Sequence, residues 1–278
     1  MRLQDRVVFI TGASRGIGRA VALACAKEGA DIVLAAKSEV DSDRLPGTIH
    51  SVAKEVEALG RKALPLRLDV RDADACEATI AHAVEKLGKI DALVNNAGAL
   101  FWADVADTPV KRFDLIMGIN VRAAFVLSHA VIPHMVKRKY GHIVMMSPAV
   151  DAHAVAGHGA YSVSKFGMTL IAQAIADEYE EHNVTGHALW PVTAIESYAT
   201  INFGLGGPEI WRKGDIIADA TVELLSKEPR ARKGQAWLDE DLLRSVGVTD
   251  FSKYQCVPGH EPPPMPYKGI PRVTSTVR

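Results

Sequence analysis

Cysteine is scarce in this 278-residue chain: Cys25, Cys76 and Cys256 are odd in number, widely spaced and without a CxxC pair. That excludes a disulfide framework and argues against a zinc site. Neither sign of charge is in excess. Lys and Arg number 32 against 33 Asp and Glu, a net charge of -1, and no basic stripe is interleaved with aromatics, so nucleic acid is not an expected partner. Long apolar runs are missing as well. The most apolar central stretch, Ala123 to Ile132, is interrupted by Ser128 and His129 and falls far short of a membrane span. The opening MRLQDRVVFITG enters a strand-like run at once, without a secretory apolar region or cleavage site. A soluble, cytoplasmic protein with no membrane partner is expected.

What is present is ordinary globular material, 48% hydrophobic and 23% charged, enough for one packed domain with no sign of global disorder. Short β-branched runs alternate with helical patterns from residue 6 to about 240, which predicts βαβ units and a doubly wound, Rossmann-type parallel sheet. Seven strands are expected, near Arg6 to Ile10, Asp31 to Ala35, Ala63 to Leu68, Ala92 to Val94, His142 to Met146, Gly186 to Trp190 and Gln235 to Leu238. The first three helices, Gly16 to Glu28, Thr48 to Leu59 and Asp72 to Leu87, end before Gly29, Gly60 and Gly88, where glycine suits a left-handed C-cap. Two longer helical patterns follow, Val110 to Lys137 and Gly159 to Glu181.

Two stretches break the rhythm. The polar insertion Ser38 to Gly47 carries Pro46, and Ile195 to Gly214 carries Gly204, Gly206, Gly207 and Pro208, so both read as loops. The second is long enough for a lid over a substrate. Beyond Val257 a proline-rich run cannot continue as helix or central strand, so it is either draped on a surface or loose. The expected division is one domain over residues 1–254 and a tail over 255–278.

The strand RVVFI runs into Thr11-Gly12-Ala13-Ser14-Arg15-Gly16-Ile17-Gly18 and then an amphipathic helix. Glycines let the backbone turn tightly and approach a pyrophosphate, whose charge is favoured by free N–H groups and the helix dipole. Asp69-Val70 closes the third strand and Asn95-Asn96-Ala97-Gly98 the fourth, so all three segments fall at carboxyl ends of parallel strands, where ligands bind. At the end of the second strand, where an acid would hold the ribose 2'-hydroxyl of NAD, stands Ala35-Ala36-Lys37-Ser38. Lys37, helped by Arg15, is suited to a 2'-phosphate, which favours NADP, with NAD as the alternative.

Tyr161 and Lys165 share a helix face at i, i+4 spacing. A neighbouring ammonium favours phenolate and makes tyrosine a usable general acid or base. His153 and His158 lie nearby as loop histidines, with no third ligand spaced to make a metal site. Phe101, Trp102, Trp190, Phe203 and Trp211 are candidates for an apolar pocket wall.

The ordered set TGASRGIG, Asp69-Val70, NNAG, Asn120 in GINVRAAF, Ser147 and Tyr161-x-x-x-Lys165 resembles the short-chain dehydrogenases/reductases over roughly residues 1 to 240. LPGTIH (Leu45 to His50), LWPVTAIE (Leu189 to Glu196) and LDEDLLRSVGVTDFSKY (Leu238 to Tyr254) resemble the hydroxysteroid dehydrogenase-like protein 2 subfamily and bacterial relatives that include citronellol dehydrogenases. The C-terminal sterol-carrier domain of the animal members has no counterpart in the sequence.

The resemblance implies a hydride passing between nicotinamide and a carbonyl or alcohol carbon of a small, moderately apolar substrate. It implies Tyr161 as the proton donor or acceptor, Lys165 also holding the nicotinamide ribose, Asn120 fixing a water in a proton relay and Ser147 orienting the substrate oxygen. Pro191, Thr193 and Ile195 would border the nicotinamide carboxamide, and a homodimer or homotetramer is implied. Two departures stand out: Ser147 precedes Tyr161 by fourteen residues rather than thirteen, with Pro148 in the usual place, and Val192 replaces the common glycine. A cofactor-binding sensor without turnover, and an isomerase or lyase on the same fold, remain the alternative readings.

Overall fold

The computed structural model describes residues 1–41, 46–148, 151, 155–231 and 234–265. Strands β1 (Val7–Thr11), β2 (Asp31–Ala36), β3 (Ala63–Arg67), β4 (Ala92–Asn95), β5 (Gly141–Met146), β6 (Val184–Trp190) and β9 (Ala236–Leu238) form one sheet. Two short strands, β7 (Ala194–Ile195) and β8 (Trp211–Arg212), pair apart from it. The strand order is β3-β2-β1-β4-β5-β6-β9, and every pairing is parallel. The order reverses between β1 and β4, the switch point at which open parallel sheets bind ligands.

Both faces are covered, which explains why the strands read as continuous apolar runs rather than alternating ones. In β1, Val8 and Ile10 join one core with α1 (Gly16–Lys27), α2 (Ile49–Ala58), α8 (Asp215–Leu225) and α9 (Asp239–Ser245). Val7 and Phe9 join the other with α3 (Ala73–Leu87), α5 (Ala123–Arg138) and α6 (Gly159–Glu178). The glycines expected to stop the first three helices adopt left-handed backbone, with φ of 97° at Gly29, 77° at Gly60 and 80° at Gly88.

The long pattern from Val110 is continuous but not uniform: α4 (Val110–Ile116) passes into a π-helical segment, Met117–Arg122, and then α5. Over Val110–Arg138 this rod meets the length and hydropathy of a membrane span, which the narrower apolar stretch read from the sequence does not. Its Ala124, Leu127, Val131 and Met135 are core, which places it as a crossover helix of the sheet.

One sequence expectation needs revision, and an alternative left open is decided. Residues 195–214 are not a structureless lid: they hold β7, β8 and α7 (Tyr198–Asn202), the last opened by a Ser197–Thr200 capping box. Glycines and Pro208 masked this, because each element is shorter than a sequence period. The proline-rich run is draped rather than loose up to Met265. Gln255 bridges to Arg212, Glu261 pairs with Arg212, and Met265 N–H donates to Val192 O at 2.8 Å.

Candidate active site

The glycine turn leaves β1 with Gly12 at φ 64° and Gly16 at φ 53°, left-handed conformations that glycine adopts without a Cβ penalty. Space is open in front of Gly16, where an added Cβ would meet nothing within 4 Å. Gly18 instead packs tightly on the turn, because a Cβ there would overlap Gly12 O and sit 2.7 Å from Asn96 Nδ2. Among the described residues no side chain caps α1 behind Arg15, so Ile17 and its neighbours present first-turn N–H groups outward. Ser14 is buried, and its carbonyl abuts Gly47. Arg15 donates to Pro46 O at 3.1 Å and Gly47 O at 2.7 Å, tying the end of the 38–47 insertion to the turn.

At the neighbouring strand ends, Lys37 Nζ lies 3.3 Å from Asp69 Oδ2, with 62% of the side chain exposed. Asp69 also takes a bidentate pair of bonds from Arg71, which, with Lys37 added, holds its carboxyl well below the usual carboxylate range. Val70 is buried, so only its backbone borders the crevice. Asn96, unassigned in the sequence reading, ties β4 to the glycine turn: its Nδ2 donates to Thr11 O at 2.9 Å and Gly12 O at 3.3 Å. Thr11 Oγ1 accepts from Asn96 N and Ala97 N. The Asn95 side chain is 3% exposed and turns into the core against Ser128 and Met145, so at the strand end Asn95 offers its backbone.

Tyr161 and Lys165 lie on one face of α6, as the spacing demands. Lys165 Nζ donates to Met146 O at 2.9 Å, lies 5.8 Å from the Tyr161 ring centroid, and is 3.4 Å from where a Gly98 Cβ would stand. Burial dominates the electrostatics, pushing the ammonium down to about 8 and the Tyr161 phenol upward. The cation at i, i+4 spacing by itself predicts the opposite direction for the phenol, and loss of water outweighs it. Asn120 sits within the π-helical segment, fully buried, exchanging bonds with Ala99 N (2.8 Å) and Ala99 O (3.0 Å). It also donates to Ser164 Oγ at 2.9 Å, and Ser164 Oγ donates to Tyr161 O at 2.7 Å. A π segment interrupts the regular ladder, and such segments cluster at functional sites. Ser164 has no assigned role in the motif, although it stands inside the Tyr-x-x-x-Lys stretch.

Ser147 is 2% exposed, and its Oγ bonds Thr169 Oγ1 at 3.1 Å and Trp190 Nε1 at 3.1 Å. Thr169 lies two turns along α6 from Tyr161, about 12 Å by helical rise. The hydroxyl is thus turned toward the core. Trp190 leaves the candidate pocket wall for the same reason, and Trp211 is committed to Leu205 O at 2.8 Å. Trp102 and Phe203 remain half exposed, Phe101 lies under Arg112, and the His158 ring lies 5.6 Å from that of Trp102. His153 lies outside the described residues. Beyond β6, Thr193 and Ile195 are buried beside the half-buried Pro191.

A family model described as short chain dehydrogenase matches residues 6–197. The chain belongs to this family. It is 44% identical over 264 residues to human hydroxysteroid dehydrogenase-like protein 2, a match covering 93% of this chain but only 62% of the human one. A short chain dehydrogenase from Mycobacterium thermoresistibile superposes with a TM-score of 0.86 at 40% identity, covering 95% of each chain. Two more distant short-chain dehydrogenase neighbours differ in cofactor. A metagenomic oxidoreductase in complex with NADP matches at 29% identity and a TM-score of 0.71, over 86% of this chain and 97% of its own. Carveol dehydrogenase from Mycobacterium avium in complex with NAD matches at 26% and 0.77, over 85% and 96%.

Proposed function

We propose that this short-chain dehydrogenase is an NADP(H)-linked enzyme that interconverts a moderately apolar alcohol and its aldehyde or ketone, with Tyr161 as general acid and base. The observation that carries the reading is the pair of half-buried Tyr161 and buried Lys165, joined through Ser164 to Asn120 at the C-terminal edge of the sheet. A sensor has no chemical need for that set. The open, uncapped start of α1 fits a pyrophosphate, with Gly12, Ser14, Arg15, Gly16, Ile17 and Gly18 around it. Asp69, Val70, Ala97, Gly98, Pro191, Thr193 and Ile195 border the rest of the dinucleotide, and the cofactor supplies or accepts the hydride when bound.

Lys37 supports NADP over NAD: it is exposed at the end of β2, and the sequence Ala35 to Ser38 offers no acid for a 2'-hydroxyl. An apolar substrate of terpenoid, lipid-derived or steroid-like character is supported by the exposed Trp102 beyond β4 and by Ile201 in α7 and Phe203 at its end, beyond β6. The names of the carveol and hydroxysteroid relatives point the same way. The direct test is oxidation of NADPH and NADH across a panel of aldehydes and ketones, with Tyr161→Phe as the blank. Turnover that does not depend on Tyr161 would sink the assignment.

The electrostatics predict a pH profile. Tyr161, raised by burial, holds its proton through the neutral range and donates it to a carbonyl oxygen, while Lys165 loses its charge as pH rises through about 8. Carbonyl reduction should therefore be level below that value and fall above it, while alcohol oxidation, which needs the phenolate, rises with pH. A reduction rate unchanged from about pH 6 to about pH 10, a range that brackets the lysine value, would contradict this.

Val163, Phe166 and Leu170 form an exposed i, i+3, i+7 stripe on α6, and Phe125 is exposed on α5. This apolar surface supports self-association as a homodimer or homotetramer. Light scattering should give a multiple of the chain mass, and Phe166→Glu should lower it; a monomer in the wild type refutes the oligomer.

A further inference from the structure

The turn Pro191–Thr193 borders the nicotinamide end in the reading above, and it carries Val192 in place of glycine. Val192 is gripped from two sides. Its N–H donates to Asp239 Oδ1 at 2.9 Å, and its carbonyl accepts from Met265 N–H at 2.8 Å. Asp239 is fully buried at the start of α9, where its Oδ1 also accepts from Glu240 N at 2.7 Å. Its Oδ2 has no hydrogen-bond partner among the described residues. A buried carboxyl in this state is costly unless something requires it. The charged groups facing it are Arg212 from β8 and Glu240 on its own helix, and burial pushes its carboxyl up to about 7.

Met265 reaches Val192 because residues 255–265 form a strap. Arg212, 1% exposed, anchors it by pairing with Glu261 while also holding Glu240 at 2.5 Å. Gln255 Nε2 adds a bond to Glu261 at 3.0 Å, and Pro262 is buried. Arg212 thus links the strap to α9, and the two together fix the turn between them.

We propose that Asp239 is a positioning residue for the nicotinamide end of the cofactor, acting through Val192, with the strap as its counterpart on the carbonyl side. The inference rests on the proposed function, because it takes this turn to face the nicotinamide. It accounts for a bulky residue at the glycine position: a turn held at both its N–H and its C=O does not need glycine's freedom.

The test uses the full chain titrated with NADPH and NADH, and with their nicotinamide-free fragments 2'-phospho-ADP-ribose and ADP-ribose. The variants are Asp239→Ala, Asp239→Asn and Met265→Pro. The last removes one N–H from a segment already rich in proline, and it keeps the proposal testable if the alanine variant does not fold. Losing a partner for a buried N–H should weaken whole-cofactor binding about tenfold in Asp239→Ala, while fragment affinity stays within about twofold. The emission of bound NADPH, which reports the nicotinamide surroundings, should shift toward that of free NADPH. Asp239→Asn keeps the acceptor and should restore the wild-type signal, while Met265→Pro should shift emission in the same direction as the alanine variant. Equal losses for cofactor and fragment, or unchanged emission in folded variants, would overturn the proposal. A wild type that binds neither cofactor nor fragment would sink the cofactor reading itself.

Discussion

Tyr161→Phe should lower turnover by roughly 10²–10⁴-fold, the range a positioned proton donor contributes, and leave NADPH affinity nearly unchanged. The change removes one oxygen and keeps the ring that faces Lys165 Nζ. Ser147→Ala separates this chemistry from the family pattern. Its hydroxyl is held by Thr169 and Trp190 in the core, so its loss should reduce melting temperature while turnover falls only a few-fold. Steady-state kinetics on the two variants side by side decide the matter: a Ser147→Ala enzyme as dead as Tyr161→Phe would return the serine to the reacting centre.

Gly18→Ala should be the most damaging single methyl group in the cofactor half of the site. Its Cβ would overlap Gly12 O, a backbone atom, and press on Asn96 Nδ2 at 2.7 Å. Neither neighbour is the free end of a flexible side chain, so the turn itself must shift. Overpacking of this kind costs about 1–3 kcal/mol, which corresponds to about fivefold to 150-fold weaker dinucleotide binding if the turn absorbs the strain. Gly16→Ala is the contrast: space is open there, and the penalty comes from the left-handed backbone alone. Titration with NADPH should rank wild type, Gly16→Ala and Gly18→Ala in falling affinity. An alanine at 18 that binds as tightly as wild type would show that Gly18 does not pack on the turn as described.

Much of this was legible in the sequence because a parallel sheet writes its pattern strongly. Strands covered on both faces are short apolar runs, the helices between them are amphipathic, and Gly29, Gly60 and Gly88 stop the first three. The i, i+4 spacing of Tyr161 and Lys165 gave their shared face directly. Side-chain direction was not legible. Asn95 and Ser147 both end strands at the ligand edge, and whether such a residue faces the crevice or the core turns on a single residue of phase, which motif spacing does not fix. The strengths of opposing electrostatic effects were also hidden: the sequence showed a cation beside a phenol, whereas the phenol's own loss of water decides the direction at Tyr161. Asp239 and Met265 gave no local signal, since their role depends on Val192, far away in the chain.

The strap also has a consequence for how the protein comes to life on the ribosome. β1 to β6 and the Tyr161–Lys165 face are all made before Met265 emerges, so the sheet can form while the turn at Val192 still lacks its carbonyl-side bond. Synthesis runs N-terminus first, and domains generally fold as it proceeds. The glycine turn is therefore complete early, and the opposite end of the crevice is finished only by the last described residues. A nascent chain arrested before the strap should already capture an adenosine phosphate, yet hold a whole dinucleotide slackly until the final stretch is released.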